Sequence, residues 1–194
     1  MEKTFRAFIA IGLSSEVVQW LRDARAGLEP AFPASSVRWT NPTGIHLTLK
    51  FLGEVPIRSV DGIRSAMDDA SSGCQPFRLF VEGLGCFPTG ARPRVIWAGI
   101  RRNAALMDLQ KRLEDALERM GFPKERRPFS PHLTLGRVRN GVPGGELGNI
   151  GRAVKQAPEK ASVEMEVSGY DLMKSILRPT GAEYARQYRT ILKA

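Results

Sequence analysis

Histidine and cysteine are nearly missing from this sequence, with two of each among 194 residues. Cys74 and Cys86 form neither a CxxC pair nor a disulfide-dense framework. That excludes a disulfide scaffold and fits a reducing cytoplasm, with each thiol expected to be buried. Long apolar runs are also absent. The stretch "AFIAIGL", Ala7 to Leu13, is too short to cross a bilayer and lacks a small-residue cleavage pattern, so neither a membrane span nor a signal peptide is expected. No Walker-type glycine loop occurs, which leaves nucleoside-triphosphate chemistry without support. Negative charge is scarce as well: 20 Asp and Glu stand against 29 Lys and Arg, a net charge of +9. Such an excess attracts polyanions through phosphate contacts and counterion release. The arginines gather at Arg92 and Arg94, Arg101 and Arg102, Arg126 and Arg127, and Arg137 and Arg139.

What is present suits a globular chain. Apolar residues make up 42% of the composition, and the length fits one large domain or two small lobes folded together. "KTFRAFIAIGL" reads as a strand leading into Gly12. Ser14 or Ser15 then caps a helix with Val17, Leu21, Ala24 and Leu28 on one face. After the loop "EPAFPASS" come a short extended "VRWT", the turn "NPTG" and a strand through Leu52. Val60, Ile63 and Met67 mark a second amphipathic helix. Alternation at Phe77 to Glu82 gives a half-buried strand, "CFPTGARPR" a turn-rich loop, and "VIWAGI" a buried strand. The clearest helix is capped by Asn103, striped by Leu106, Leu109, Leu113 and Leu117, and stopped by Gly121. "NGVPGGELG", Asn140 to Gly148, reads as a loop before a short helix. Strands at 163–168 and 170–177 and a returning strand "YARQYRTIL" close the chain as a hairpin.

The two histidines open the same four letters. "HLTL" begins at His46 and again at His132, 86 residues apart, each time inside a strand–helix–strand set. The repeat favours an α+β fold: two pseudo-symmetric lobes of mainly antiparallel sheet with flanking helices around a central cleft, one HLTL strand at the centre of each lobe, residues 1–194 forming a single bilobal domain. Residues i and i+2 of a strand share a face, so His46 projects with Thr48 and His132 with Thr134, while the leucines face a core. Two imidazoles suit acid–base chemistry near neutral pH, and two threonine hydroxyls can donate to non-bridging phosphate oxygens. Arg137 adds a fork-shaped cation.

Other chemistries fit less well. A structural histidine is the usual reading of one HLTL, but two copies that consume every histidine favour catalysis. A zinc site wants three or four ligands, and neither motif has a carboxylate at a suitable offset. A Ser–His–Asp triad uses one histidine and leaves the duplication unexplained. A non-catalytic RNA binder needs no matched acid and base.

With its two H-x-T-x motifs the sequence resembles the 2H phosphoesterase superfamily. It is most similar to the RNA 2′,3′-cyclic phosphodiesterases, also called 2′-5′ RNA ligases (LigT-like). The similarity runs through "RAFIAIGL", "RWTNPTGIHLTLKFLGEV", "PRVIWAGI" and "GFPKERRPFSPHLTLGRVR", and is less diagnostic beyond Asn140. The resemblance implies metal-free opening of an RNA 2′,3′-cyclic phosphate to a 2′-phosphomonoester, with no cofactor. It assigns His46 as proton donor, His132 as proton acceptor, Thr48 and Thr134 as phosphate-binding hydroxyls, and Arg137 as a cleft arginine. The alternative within enzymes is a phosphodiesterase or ligase acting on 2′-5′-linked oligonucleotides or another cyclic phosphate. The expected partner is RNA ending in a cyclic phosphate, tRNA fragments included, for a cytoplasmic monomer with no membrane partner. Phe8 and Phe129, near the motif strands, are the candidates for stacking on a terminal base, with core packing the stronger reading for Phe129. Trp39 and Trp97 are expected to be structural. Arg92 and Arg94 either guide an RNA backbone or are solvated.

Overall fold

A computed structural model describes residues 3–33, 35–89, 92–178 and 181–193. The elements run β1 (Thr4–Ile11), α1 (Ser15–Leu28), β2 (Val37–Trp39), β3 (Leu47–Pro56), α2 (Val60–Ser71), β4 (Phe77–Phe87), β5 (Val95–Ile100), α3 (Ala104–Glu118), β6 (His132–Val138), α4 (Gly144–Lys155), β7 (Val163–Val167), β8 (Gly169–Arg178) and β9 (Gly181–Ile191). Local chemistry explains their ends. The Ser14 side chain accepts from the Val17 backbone N–H to start α1, and Asn103 does the same for α3 through Leu106. Gly121, at φ +90°, takes the left-handed conformation just past α3.

The strands form two antiparallel sheets, ordered β3-β1-β8-β9 and β2-β6-β5-β4-β7. With β2 set aside, the second order, β6-β5-β4-β7, repeats the first. β1-α1-β3 corresponds to β5-α3-β6, which places the two HLTL strands in equivalent positions. Those positions are not central as the repeat suggested: β3 is an edge strand, and β6 is kept from the edge only by the three-residue β2. The connecting helices cross over. Although α1 follows β1 of the first sheet, it packs on β7 of the second, and α3 links strands of the second but packs on β3 of the first. α2 covers β9 and α4 covers β4. Apolar residues of both sheets and all four helices join in a single buried cluster. Burial on this scale, at roughly 25 cal/mol per Å² of apolar surface, drives the assembly.

α4 begins inside the stretch read as a loop. Gly144 and Gly145 are poor helix formers, yet Leu147, Ile150 and Val154 bury one face of α4. Tertiary packing outweighs glycine's cost of about 1 kcal/mol per residue.

Candidate active site

Each motif is built by its approach segment. The Asn41 side chain accepts from the Thr43 N–H at 3.2 Å and from the Thr43 hydroxyl at 3.0 Å, and Pro42 opens a single 3-10 turn through Gly44. That turn leaves the Gly44 carbonyl 3.0 Å from His46 Nδ1. In the other lobe the Ser130 carbonyl lies 2.7 Å from His132 Nδ1, with Pro131 between the two residues. Proline fixes its own φ and holds the residue before it extended, so "SPH" delivers the same contact without a helical turn. A carbonyl only accepts, so Nδ1 carries the proton in both rings. Both Nε2 atoms are then left to take up or give a proton.

A bulge at the same place in each motif decides what else shares the face. Between β1 and β3 the register skips Leu49, and between β5 and β6 it skips Leu135. Strict alternation would send Arg137, five residues past His132, to the opposite side of β6. The bulge shifts the period by one, so Arg137 is exposed and Gly136 and Val138 are buried. Gly136 is required there, because a Cβ would meet Val37 Cγ1 at 2.8 Å and Trp39 Cε3 at 3.0 Å. On β3 the same shift turns Lys50 inward and Phe51 outward. Phe51 is therefore the counterpart of Arg137: one lobe presents an aromatic ring where the other presents a cation.

Around His46 the wall is aromatic. Phe8 stacks on the imidazole at 4.5 Å and 24°, and Tyr184 meets it edge-on at 5.0 Å. Burial pushes the His46 imidazole below its ordinary value, and the Gly44 carbonyl, which favours the charged form, offsets this only in part. Phe8 is 3% exposed and covered by His46, so it lacks the open face a base platform needs, whereas Phe51 is 57% exposed. Phe51 escaped the sequence reading; its signal was a phenylalanine at the same offset from His46 as Arg137 has from His132.

His132 meets Phe87 edge-on at 5.1 Å and has the Trp97 ring 6.5 Å away. Trp97 pairs with Thr134 in register, so the residue read as structural lies on the motif face. Trp39 stacks on Phe32 at 5.6 Å, away from both histidines. Phe129 packs partly buried against the core. Arg92 and Arg94 are exposed beside β5, and Arg38 pairs with Arg137 in register and shares its face. Neither Arg38 nor Arg137 has an ion-pair partner among the described residues. Thr48 and Thr134 are half-buried, and β3 and β6 touch, so the two motif strands adjoin at the junction of the sheets. Among the described residues, no three His, Cys, Asp or Glu side chains come together. No helix among them is long and apolar enough to cross a membrane. Cys86 is buried and Cys74 half-buried.

A model of the LigT-like phosphoesterases matches residues 11–97 and again 100–184, so each match holds one motif. The chain belongs to the LigT-like phosphoesterase family. An RNA 2′,3′-cyclic phosphodiesterase of Archaeoglobus fulgidus is 31% identical over 92% of this chain and 96% of its own length. One from Methanothermobacter thermautotrophicus is 32% identical over 92% and 94%. Among solved structures, Escherichia coli LigT complexed with 3′-AMP superposes with a TM-score of 0.78 at 26% identity, covering 99% of this chain and all of that one. A Thermus thermophilus protein gives 0.80 at 27% identity, covering 96% and 97%. These LigT-like structures share the α+β, two-sheet architecture described above.

Proposed function

We propose that this LigT-like phosphoesterase is a hydrolase that opens the 2′,3′-cyclic phosphate at the end of an RNA and leaves a 2′-phosphomonoester. The observation that carries the reading is the matched pair of imidazoles. Each is locked through Nδ1 to the carbonyl two residues before it, with Nε2 free and a threonine two residues on. Inline displacement at phosphorus needs a base on one side and an acid on the other, and the duplication supplies one of each. Near-full-length relatives named RNA 2′,3′-cyclic phosphodiesterases support the substrate class.

In this mechanism both motifs face one cyclic phosphate. Neutral His132 takes a proton at Nε2 from water as the water oxygen bonds to phosphorus. The bond from phosphorus to O3′ breaks, and His46 delivers the proton on its Nε2 to O3′. Thr48, Thr134 and Arg137 hold the non-bridging oxygens, where charge builds in the pentavalent state. Phe8 and Tyr184 hold the His46 ring, and Phe51 supplies an open face for a base. Burial disfavours the charged form of His46 in the empty site; a bound anionic phosphate reverses that bias and readies the donor. Two histidines and two separated cysteines give a poor metal donor set, so the reaction is assigned to protein groups alone. The chain is read as one bilobal domain, a monomer acting in the cytoplasm, where its two thiols remain reduced.

The test is turnover of a 2′,3′-cyclic mononucleotide with and without EDTA. Equal rates are expected. Loss of activity on chelation, restored by zinc or manganese, overturns the metal-free mechanism, and absence of turnover in both arms overturns the hydrolase.

A further inference from the structure

The first sheet carries a second cationic feature on its motif face, in the C-terminal hairpin beyond residue 184 where the family match ends. Cross-strand partners in an antiparallel sheet share a face. One row runs Thr48, Ala10, Asp171, Arg189, and the next runs Phe51, Phe8, Met173, Arg186. A bulge between Leu172 and Met173 brings both arginines to the side that holds His46, which rests on Phe8. The buried Asp171 carboxylate pins them, with Arg186 Nε at 3.0 Å from Oδ1 and Arg189 Nη1 at 3.3 Å from Oδ2. The arginine side chains remain 58% and 35% exposed. Two guanidiniums face one carboxylate, which leaves one positive charge in excess. Tyr184, two residues before Arg186, already touches His46.

The equivalent edge of the second sheet has the opposite character. Glu82 lies in the row of Gly99 and His132, and β7 adds Glu164 and Glu166 to that face. Arg78 pairs with Glu164 and Arg101 with Glu82, so two arginines meet three glutamates. Only the β9 side of the pseudo-symmetric pair offers an unneutralised, prepositioned cation cluster leading away from a histidine.

We propose that Arg186 and Arg189, held by Asp171, bind the first phosphodiester on the 5′ side of the terminal nucleotide, so that the RNA chain leaves the site over β9 and not over β7. This rests on the cyclic-phosphate reading of the motif face and gives that substrate a direction. An arginine pair pinned from below is suited to phosphate, because its remaining N–H groups are oriented before the ligand arrives.

The experiment pairs binding with turnover. A fluorescein-labelled hexaribonucleotide ending in a cyclic phosphate is bound to wild type, to the Arg186→Gln/Arg189→Gln double variant and to the Lys double variant, followed by anisotropy. The kcat/KM for that oligonucleotide is divided by the value for the matching cyclic mononucleotide. The Gln variant should bind about tenfold more weakly and lose a similar factor in the ratio, while the Lys variant recovers most of it as a point charge. The slope of log K against log salt should become shallower by about 0.7, the value for one lost phosphate contact on a single strand. An active enzyme whose ratio and oligonucleotide affinity ignore both arginines overturns this proposal and keeps the hydrolase. A protein that turns over neither substrate but binds the oligonucleotide through the arginines overturns the hydrolase and keeps the RNA path.

Discussion

Replacing Lys50 with methionine should destabilise the protein far more than a lysine substitution usually does. The bulge at Leu49 drives Lys50 into the interior, where it is 2% exposed and donates from Nζ to Glu114 Oε2 and to the Pro123 carbonyl, both at 2.6 Å. Glu114 also accepts from Gln110 Nε2 at 3.2 Å and from the Glu125 backbone N–H at 3.3 Å. The methionine variant strands a buried carboxylate and a backbone carbonyl. Removing one partner of a buried ion pair costs about 3–5 kcal/mol, and the two donors left on Glu114 favour the lower end. Changing both residues, Lys50→Met with Glu114→Leu, removes the stranded charge and should return to within about 2 kcal/mol of wild type. Urea denaturation of the wild type, both singles and the double measures the cycle. Activity should not recover with stability. The pair ties β3, four residues past His46, to the segment that leads into His132, and a misplacement near 1 Å can cost about 10²-fold in rate. A Lys50→Met cost below 1 kcal/mol, or a double variant as unstable as the summed singles, refutes the reasoning.

Three further outcomes follow from the site. His46→Ala and His132→Ala should each lose about 10²–10⁴-fold in kcat with unchanged circular dichroism, and the double should be little worse than the poorer single; wild-type rates in either single reduce HLTL to a core strand. Because burial holds the His46 imidazole low, the ionisation of kcat/KM that disappears in His46→Ala, which reports the free enzyme, should lie below the ordinary histidine value of about 6.5 and move upward in the kcat profile once phosphate sits against the ring; an ionisation at one pH in both profiles contradicts His46 as the donor. Arg137→Ala should reduce kcat/KM by about 10²-fold without altering the urea midpoint, since Arg137 is exposed and forms no ion pair among the described residues; an unchanged kcat/KM makes it a solvated surface residue.

The helices were legible wherever a cap and an apolar stripe agreed, as in Asn103 with the four leucines of α3. The paired HxT faces were legible because period-two alternation holds from His46 to Thr48 and from His132 to Thr134. Beyond those residues the alternation fails. A bulge leaves no period of its own, so the inward turn of Lys50 and the outward turn of Phe51 were hidden. Arg137 reaches the motif face by a route that its spacing alone would forbid. The β9 arginines were hidden for a different reason: their row depends on β8 and β1 lying between them and Thr48, a pairing that spans nearly the whole chain. Sheet position was misread because nothing within HLTL says whether a further strand pairs beside it.

The most direct test of the central claim is the identity of the product. A short RNA ending in a 2′,3′-cyclic phosphate, digested with the wild-type protein and resolved against authentic 2′- and 3′-phosphate standards, should yield only the 2′-phosphomonoester with a free 3′ hydroxyl. Neither His46→Ala nor His132→Ala should yield it at a comparable rate. A 3′-phosphate product would mean that the proton went to O2′, and undigested RNA that no matched acid and base act on this phosphate; either result contradicts the account.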